Sequence, residues 1–473
     1  MSTARGTAAL MAAEAVFVLS GWAIHIGSKR ILGLEAYGTL GILLGLLTHY
    51  RIFLATGVNR AVSRYIAEEP RRQGSIRRRA VLLQLGLGLG LGAAVWVVAP
   101  RLAEIWQSPG MTGYIRLTGF FLPVFGLYSV FRGTLNGLRL FEKEALVSIL
   151  YSLLKVALLF ALIGAFGIWG AVAGYLGAIV AATGLSRRVC PPEPPGPAFP
   201  LKPIVAFAVP VVSFSFLLSL LQSLDLYVVR ALAPQAALSA GYYTCAQQGA
   251  RIPYMLLYAL GLALFPNVAA RGGEEAETGR VVAKGMRWGL ILALPLAAMI
   301  SAAAPALMNW VYGADSAGAG APLRILVFGQ AFLALLYLAV VALAGAGHPW
   351  RATGLIAATL VLDGFLNLFL IPRYGIIGAA AATTAAGLAG LAAGLVALRG
   401  RFQAGLNLLG AGRVVGVSAL IYGGIFFLRP DGWLLLPGLT AAAGVAGLLL
   451  RAVGEIDRND GKMLMSVFSS RKT

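Results

Sequence analysis

GIWGAVAG at 167–174 and GIIGAAAA at 375–382 lie 208 residues apart. At the same offset, without a gap, LNGLRL at 135–140 falls on LAGAGH at 343–348. Another pair, LEAYGTLG at 34–41 and LSAGYYTC at 238–245, keeps the order at a slightly smaller offset. One pair of glycine-rich strings could arise by chance, but several in the same order read as an internal duplication. Between the copies stands PPEPPGPAFP at 191–200, a stiff, extended linker.

The duplicated material is apolar. Of 473 residues 59% are hydrophobic and 12% charged, and mean hydropathy is +0.82. Soluble domains run at about 45–50% apolar and about 25% charged. A spanning helix needs about 20 mostly apolar residues, and fourteen candidates fit: 8–28, 36–58, 80–99, 112–134, 145–166, 168–186, 203–224, 238–265, 285–310, 323–345, 352–371, 375–398, 411–428 and 432–450. The expected fold is an all-α polytopic membrane protein of about 14 transmembrane helices. Its parts are a six-helix lobe at 1–186, a proline-rich linker at 187–202, a second six-helix lobe at 203–398, and two extra helices with a tail at 399–473. An even number of spans per copy keeps its orientation, so the lobes are expected as parallel repeats binding substrate between them. Arg5 precedes an apolar run to about residue 28 without a small-residue cleavage site, which reads as an uncleaved first helix.

A net charge of +20 raises nucleic acid as a partner. Its distribution argues against that. With the N-terminus inside, 26 of the 38 lysines and arginines fall in inner segments and 8 in outer ones, the latter including Lys29, Arg324, Arg373 and Arg429. That is the positive-inside pattern of a bacterial or archaeal inner-membrane protein with both termini cytoplasmic. Cys190 and Cys245 fit no metal or disulfide pattern.

Four cations lie inside spans: Arg51, Arg132, Lys155 and Arg251. The acids at depth are Glu14 and Asp363, with Asp225 near an outer helix end. Such groups are costly in lipid and usually face a lumen. At 100° per residue they fall on polar stripes. These are Glu14, His25 and Lys29; Thr244, Gln248, Arg251 and Tyr258; Thr359, Asp363 and Asn367; Ser148, Ser152 and Lys155; and Ser215, Ser219 and Gln222. His25, His49 and His348 show no metal spacing and read as polar lining. Arg132, near a cytoplasmic end, has a plain reading as a snorkelling side chain. Lys155 and Asp363 occupy equivalent positions in the copies, and each has a plain reading as half of a structural pair. Gly86 with Gly90 and Gly88 with Gly92 offer small faces for close helix packing. Pro123, Pro210, Pro253 and Pro295 are positioned to kink helices.

No phosphate loop, nucleophile elbow or metal cluster occurs, so the expectation is a transporter without a cofactor rather than an enzyme. With no ATP site, an ion gradient or the membrane potential must drive it.

GLEAYGTLGILLGLLTHYRIFLATGVNRAVSRYIAE at 33–68, LNGLRLFEKEAL at 135–146, ALSAGYYTCAQ at 237–247 and RYGIIGAA at 373–380 resemble polysaccharide-export flippases. These form the Wzx-like branch of the multidrug/oligosaccharidyl-lipid/polysaccharide exporter superfamily. The resemblance implies two six-helix lobes around a central cavity, plus two C-terminal helices. It implies movement of undecaprenyl-pyrophosphate-linked oligosaccharide to the outer leaflet, with membrane lipids and other polysaccharide-assembly proteins as partners. By resemblance to the superfamily's lipid II flippases, Arg51, Arg251 and Lys29 are the expected pyrophosphate contacts. Lining residues are then His25, His49, Thr244, Gln248, Lys155, Ser219 and Gln222, and Glu14, Asp225 and Asp363 are the candidates for a coupling H+ or Na+. A cation-coupled multidrug exporter and a lipid II flippase of the same superfamily are the alternatives.

Overall fold

The computed structural model describes residues 3–192, 197–270, 275–402 and 407–456, and every regular element among them is helical. Part of the linker (193–196), Arg271, and the tail with Arg458, Lys462, Arg471 and Lys472 lie outside the described residues.

The chain divides into two compact units, 1–220 and 221–473. The first holds α1 (Thr3–Leu32), α2 (Leu34–Ala55), α3 (Val58–Glu68), α4 (Gln73–Ile105), α5 (Met111–Gly119), α6 (Phe121–Gly137), α7 (Phe141–Val189) and α8 (Lys202–Leu221). The second holds α9 (Leu224–Leu232), α10 (Ala236–Ala250), α11 (Ile252–Ala269), α12 (Glu275–Ala302), α13 (Ala304–Tyr312), α14 (Gly320–Gly345), α15 (Pro349–Phe402), α16 (Leu408–Leu428) and α17 (Leu435–Ala452). The unit boundary therefore falls one helix beyond the proline-rich segment.

Twelve helical stretches among the described residues are long and apolar enough to cross a bilayer. The sequence count was fourteen. The difference arises because α7 and α15, 49 and 54 residues long, each run through two of the expected spans. Neither is straight. A straight helix would separate Leu159 from Gly174 by about 22 Å, yet a Cβ on Gly174 would lie 2.7 Å from the Leu159 Cα. Likewise a Cβ on Gly390 would lie 2.5 Å from the Thr359 Oγ1. Both elements double back into hairpins, at Gly167 (φ 54°, ψ −132°) and Gly375 (φ 56°, ψ −136°). Those angles are near the first central position of a type II′ turn, which favours glycine.

Gly167 and Gly375 are the first residues of the two duplicated strings, so the repeat is visible in backbone geometry. The other string behaves alike. Arg139 and Gly347, again 208 residues apart, both have positive φ (57° and 85°). Leu140 N donates to Leu135 O at 2.8 Å, and His348 N to Leu343 O at 2.9 Å. Each is the six-to-one bond that closes a helix C-terminus.

Within the first unit, only one of the two small faces of α4 is used. A Cβ on Gly88 would meet Pro123 Cα at 2.6 Å and one on Gly92 would meet Gly119 O at 3.0 Å, while Gly86 and Gly90 have open space. Close approach to α5 and α6 buries Gln84, whose Nε2 donates to Leu54 O and Ser129 Oγ. In the second unit α12 and α14 form the core, and α16 packs on α12. The buried Glu455 accepts Arg413 Nη1 at 3.4 Å and pairs with Arg287 Nε at 3.5 Å.

Candidate functional site

Two polar clusters stand out, one inside each unit. In the first, α1, α2, α6 and the initial arm of α7 surround a cavity of about 40 Å³ lined by Glu14, Phe17, Arg51, Tyr128, Arg132 and Ser148. The Arg51 guanidinium lies 4.7 Å from the centroid of the Phe17 ring. Lys155 Nζ lies 4.5 Å from that same ring and 5.7 Å from those of Tyr151 and Tyr175. Lys155 is 3% exposed, and its ammonium meets aromatic faces instead of a carboxylate. Rings attract a desolvated cation by about 2 kcal/mol, much less than its burial costs.

Arg132 resolves differently. Its Nη2 donates to Glu144 Oε1 at 3.0 Å, and Asn136 Nδ2 donates to Glu144 Oε2 at 2.7 Å. This closed pair ties α6 to α7, so Arg132 is neutralised by structure. Among the described residues no ion pair forms on Arg51, which lines the cavity, or on Lys155, which does not line it but shares the Phe17 ring, so that ring carries two cations without a paired acid. Glu14 lines the same cavity, but its residue is exposed.

His25, His49 and Lys29 are held within the first unit. His25 Nδ1 lies 2.9 Å from Tyr37 Oη, joining α1 to α2. His49 Nδ1 bonds Gly45 O and its ring meets Phe216 of α8 edge-on at 5.9 Å. Lys29 is buried in the last turn of α1, and Ser219 is buried near the end of α8. His348 Nδ1 pairs with Ala346 O in the second unit.

The second cluster gathers around Asp225 and Asp363, both 0% exposed. Asp225 opens α9, where Leu226 N donates to its Oδ1. Tyr243 Oη donates to Asp225 Oδ2 at 2.6 Å, Thr383 Oγ1 to Oδ2 at 3.2 Å, and Gln247 Nε2 to Oδ1 at 3.1 Å. Asp363 lies on the first arm of α15 with Thr383 on the returning arm, and the two carboxyls interact electrostatically. Asn367 Nδ2 donates to Asp363 Oδ1 at 3.0 Å, while Asp363 Oδ2 and Asn367 Oδ1 are buried without a hydrogen-bond partner. No described residue forms an ion pair with either aspartate.

Arg251 borders this cluster. It sits where the helix is interrupted between α10 and α11, ahead of Pro253, which starts α11 rather than kinking it from within. Its Nη2 donates to Gln222 O at 3.0 Å and to Ser223 Oγ at 3.3 Å. Gln247 Nε2 also donates to Gln222 O. The break between α8 and α9 frees that carbonyl, and these two side chains satisfy it. The expected stripe of Thr244, Gln248, Arg251 and Tyr258 is accordingly split. Thr244 Oγ1 turns back to Ala240 O, Gln248 is half-buried, and Tyr258 stacks on Tyr337 on the far side of the break.

Sequence reasoning passed over Phe17, Glu144, Tyr243, Gln247 and Thr383. For Thr383 a signal existed: Asp363 and Thr383 flank Gly375, and a turn there brings them together. Both cysteines are buried and neither forms a disulfide among the described residues. Burial pushes the Cys190 thiol up to about 11, with nearby Arg77 partly offsetting it. No group of three or more His, Cys, Asp or Glu among the described residues could hold a metal ion.

A family model described as polysaccharide biosynthesis protein matches residues 29–317. An uncharacterized membrane protein of Methanocaldococcus jannaschii is 27% identical over 146 residues, which is 30% of this chain and 29% of the relative's own length. The chain thus spans under a third of that relative. Among solved structures, the lipid II flippase MurJ in an inward closed conformation is similar at a TM-score of 0.75 and 12% identity, over 95% of this chain and 99% of that one. An inward-facing multidrug resistance transporter of the MATE family, in the MOP superfamily, is similar at 0.70 and 16% identity, over 82% and 94%. At these identities the structural likeness speaks for the fold, and the family match supports the resemblance seen in the sequence.

Proposed function

The chain belongs to the polysaccharide biosynthesis protein family, and from that premise we propose that it is a flippase for an undecaprenyl-pyrophosphate-linked oligosaccharide. It carries this substrate from the cytoplasmic to the outer leaflet of the inner membrane by alternating access, for cell-surface polysaccharide assembly. One observation carries the reading: Arg51 and Lys155 share the Phe17 ring inside the first unit, and among the described residues no acid pairs with either. A pyrophosphate headgroup brings about two negative charges out of water, and cations held at low dielectric offset that cost. A cavity made for cationic drugs would call for carboxylates instead.

Coupling is assigned to the second unit. Asp225 and Asp363, with the neutral oxygens of Tyr243, Thr383 and Asn367, fit a small hard cation or a proton. The orphaned Asp363 Oδ2 and Asn367 Oδ1 are the atoms such an ion would satisfy. A bound cation there supplies charge compensation and a link to the ion gradient. Transfer of one charge is worth about 2.3 kcal/mol per 100 mV. Lys29 and Arg251 complete the proposed anion contacts, although Arg251 also holds the Gln222 carbonyl.

The test is glycan delivery in cells lacking their own flippase. Arg51→Ala is expected to leave protein amount unchanged and to stop delivery. Arg251→Ala also removes one of the two donors to the Gln222 carbonyl, so its loss is scored per folded protein. Normal delivery by the double variant would end the pyrophosphate reading.

A further inference from the structure

A larger cavity lies away from both clusters. It measures about 620 Å³, is open on one side, and is bordered by the end of α12, α13, the 3-10 turn Ala314–Ala319, the start of α14 and the end of α16, all in the second unit. One wall is methyl-rich, from Ala302, Ala303, Ala306, Ala314 and Ala317. The lining also carries Arg324 and Arg429, whose guanidinium carbons each lie 5.9 Å from the Phe426 centroid.

Neither arginine is neutralised. No ion pair or side-chain hydrogen bond forms on either among the described residues, and Arg324 Nε is buried without a partner. The one acid on the lining, Asp431, spends Oδ1 on Gly432 N at 2.8 Å, capping the short turn before α17. The site thus holds excess positive charge beside an apolar wall. Its volume falls within the roughly 300–1,000 Å³ of small-molecule sites and far exceeds what a lone inorganic ion would fill. Exposed Trp310 of α13 and Phe427 of α16 lie on the same elements, and exposed Trp433 lies in the short turn that follows Asp431, as aromatic residues do at a membrane–water interface. On the orientation read from charge, this end faces the outer leaflet, and Arg324 and Arg429 are two of the eight cations that run against the inside bias.

We propose that this cavity binds the phosphate of a lipid, gripped between Arg324 and Arg429, with the first part of its hydrocarbon chain along the alanine wall. The phosphate is that of a membrane phospholipid or of a polyprenyl carrier, since both present the same anion on an apolar chain. The bound lipid fills the seam between α12–α14 and α16. This site is independent of which glycan is carried.

The test uses the delipidated full-length protein, with retained lipid read by native mass spectrometry after adding phosphatidylglycerol, a polyprenyl phosphate or phosphate-free diacylglycerol. Wild type should retain one phosphate lipid over diacylglycerol, and R324Q/R429Q should bind it at least about tenfold more weakly. Arg373→Gln, another outer cation, should bind as wild type does. Ala306→Phe, which fills the wall and keeps both charges, should show the same loss as the double variant. Preference for phosphatidylglycerol identifies the source as bulk lipid, and preference for polyprenyl phosphate identifies the carrier. Equal retention by wild type and R324Q/R429Q, or diacylglycerol competing as well as the phosphate lipids, would overturn the site.

Discussion

Lys155, buried, and Arg132, half-buried, show how two cations of the first unit come to do different work. Arg132 has Glu144, and removing one partner of a buried pair leaves a charge without compensation. Arg132→Ala is expected to lower stability by about 3 kcal/mol, visible as a fall in melting temperature in detergent. Lys155 has three rings and no acid, so Lys155→Met should keep the cage filled and melt at or above the wild-type temperature. Its glycan delivery should nevertheless drop at least about tenfold, because half of the uncompensated charge beside Phe17 is gone. Wild-type delivery by Lys155→Met would remove this residue from anion handling. The sequence placed both residues inside spans and left each with a plain and a functional reading. Only the partner across the fold separates them.

At the level of elements, the hairpin glycines are the sharpest case. Gly167 and Gly375 adopt angles that carry a penalty of about 1–3 kcal/mol for a residue with a Cβ. Neither has a neighbour within 4 Å of an added Cβ, so the cost of alanine is backbone strain alone. Gly167→Ala and Gly375→Ala should each destabilise by that amount, while Gly164→Ala, equally open but without positive φ, should not. Melting curves of the three variants decide it; equal stability of all three would show that the turn tolerates a side chain. Gly174 and Gly390 test the other half of the hairpin. There a Cβ would strike Leu159 backbone or the Thr359 side chain, and leucine should cost more than alanine at Gly167 through overpacking. The duplicated strings were legible as sequence because these turns accept so few residues. The interruption at Arg251 was not legible. Residues 238–265 read as one apolar span, and Pro253 alone does not say whether it bends a helix or begins one.

For the whole molecule, charge bias predicts both termini on the cytoplasmic side. Single cysteines at Arg71 and Arg188, in a background with both native cysteines removed, should label with an impermeant maleimide only in inverted vesicles. A cysteine at Asp431 should label only in right-side-out ones. Labelling of Arg71 and Asp431 from the same side would refute the orientation and move the proposed lipid site to the inner leaflet.

Composition, span length and the 208-residue repeat were enough to establish a helical membrane protein with duplicated halves, because burial in lipid and a reversal at glycine are local demands on local residues. The pairing of Asp225 with Tyr243, Gln247 and Thr383, the neutralisation of Arg132 by Glu144, and the meeting of Arg324 with Arg429 were decided by tertiary structure. A helical wheel assigns faces only while the helix continues, and it cannot say which residue of a distant element meets that face. The choice of Gln247 over Gln248 as the partner of Asp225 is one such case. One step of 100° separates them on the wheel, and the break between α8 and α9 selected which one found a carbonyl and a carboxylate to bind.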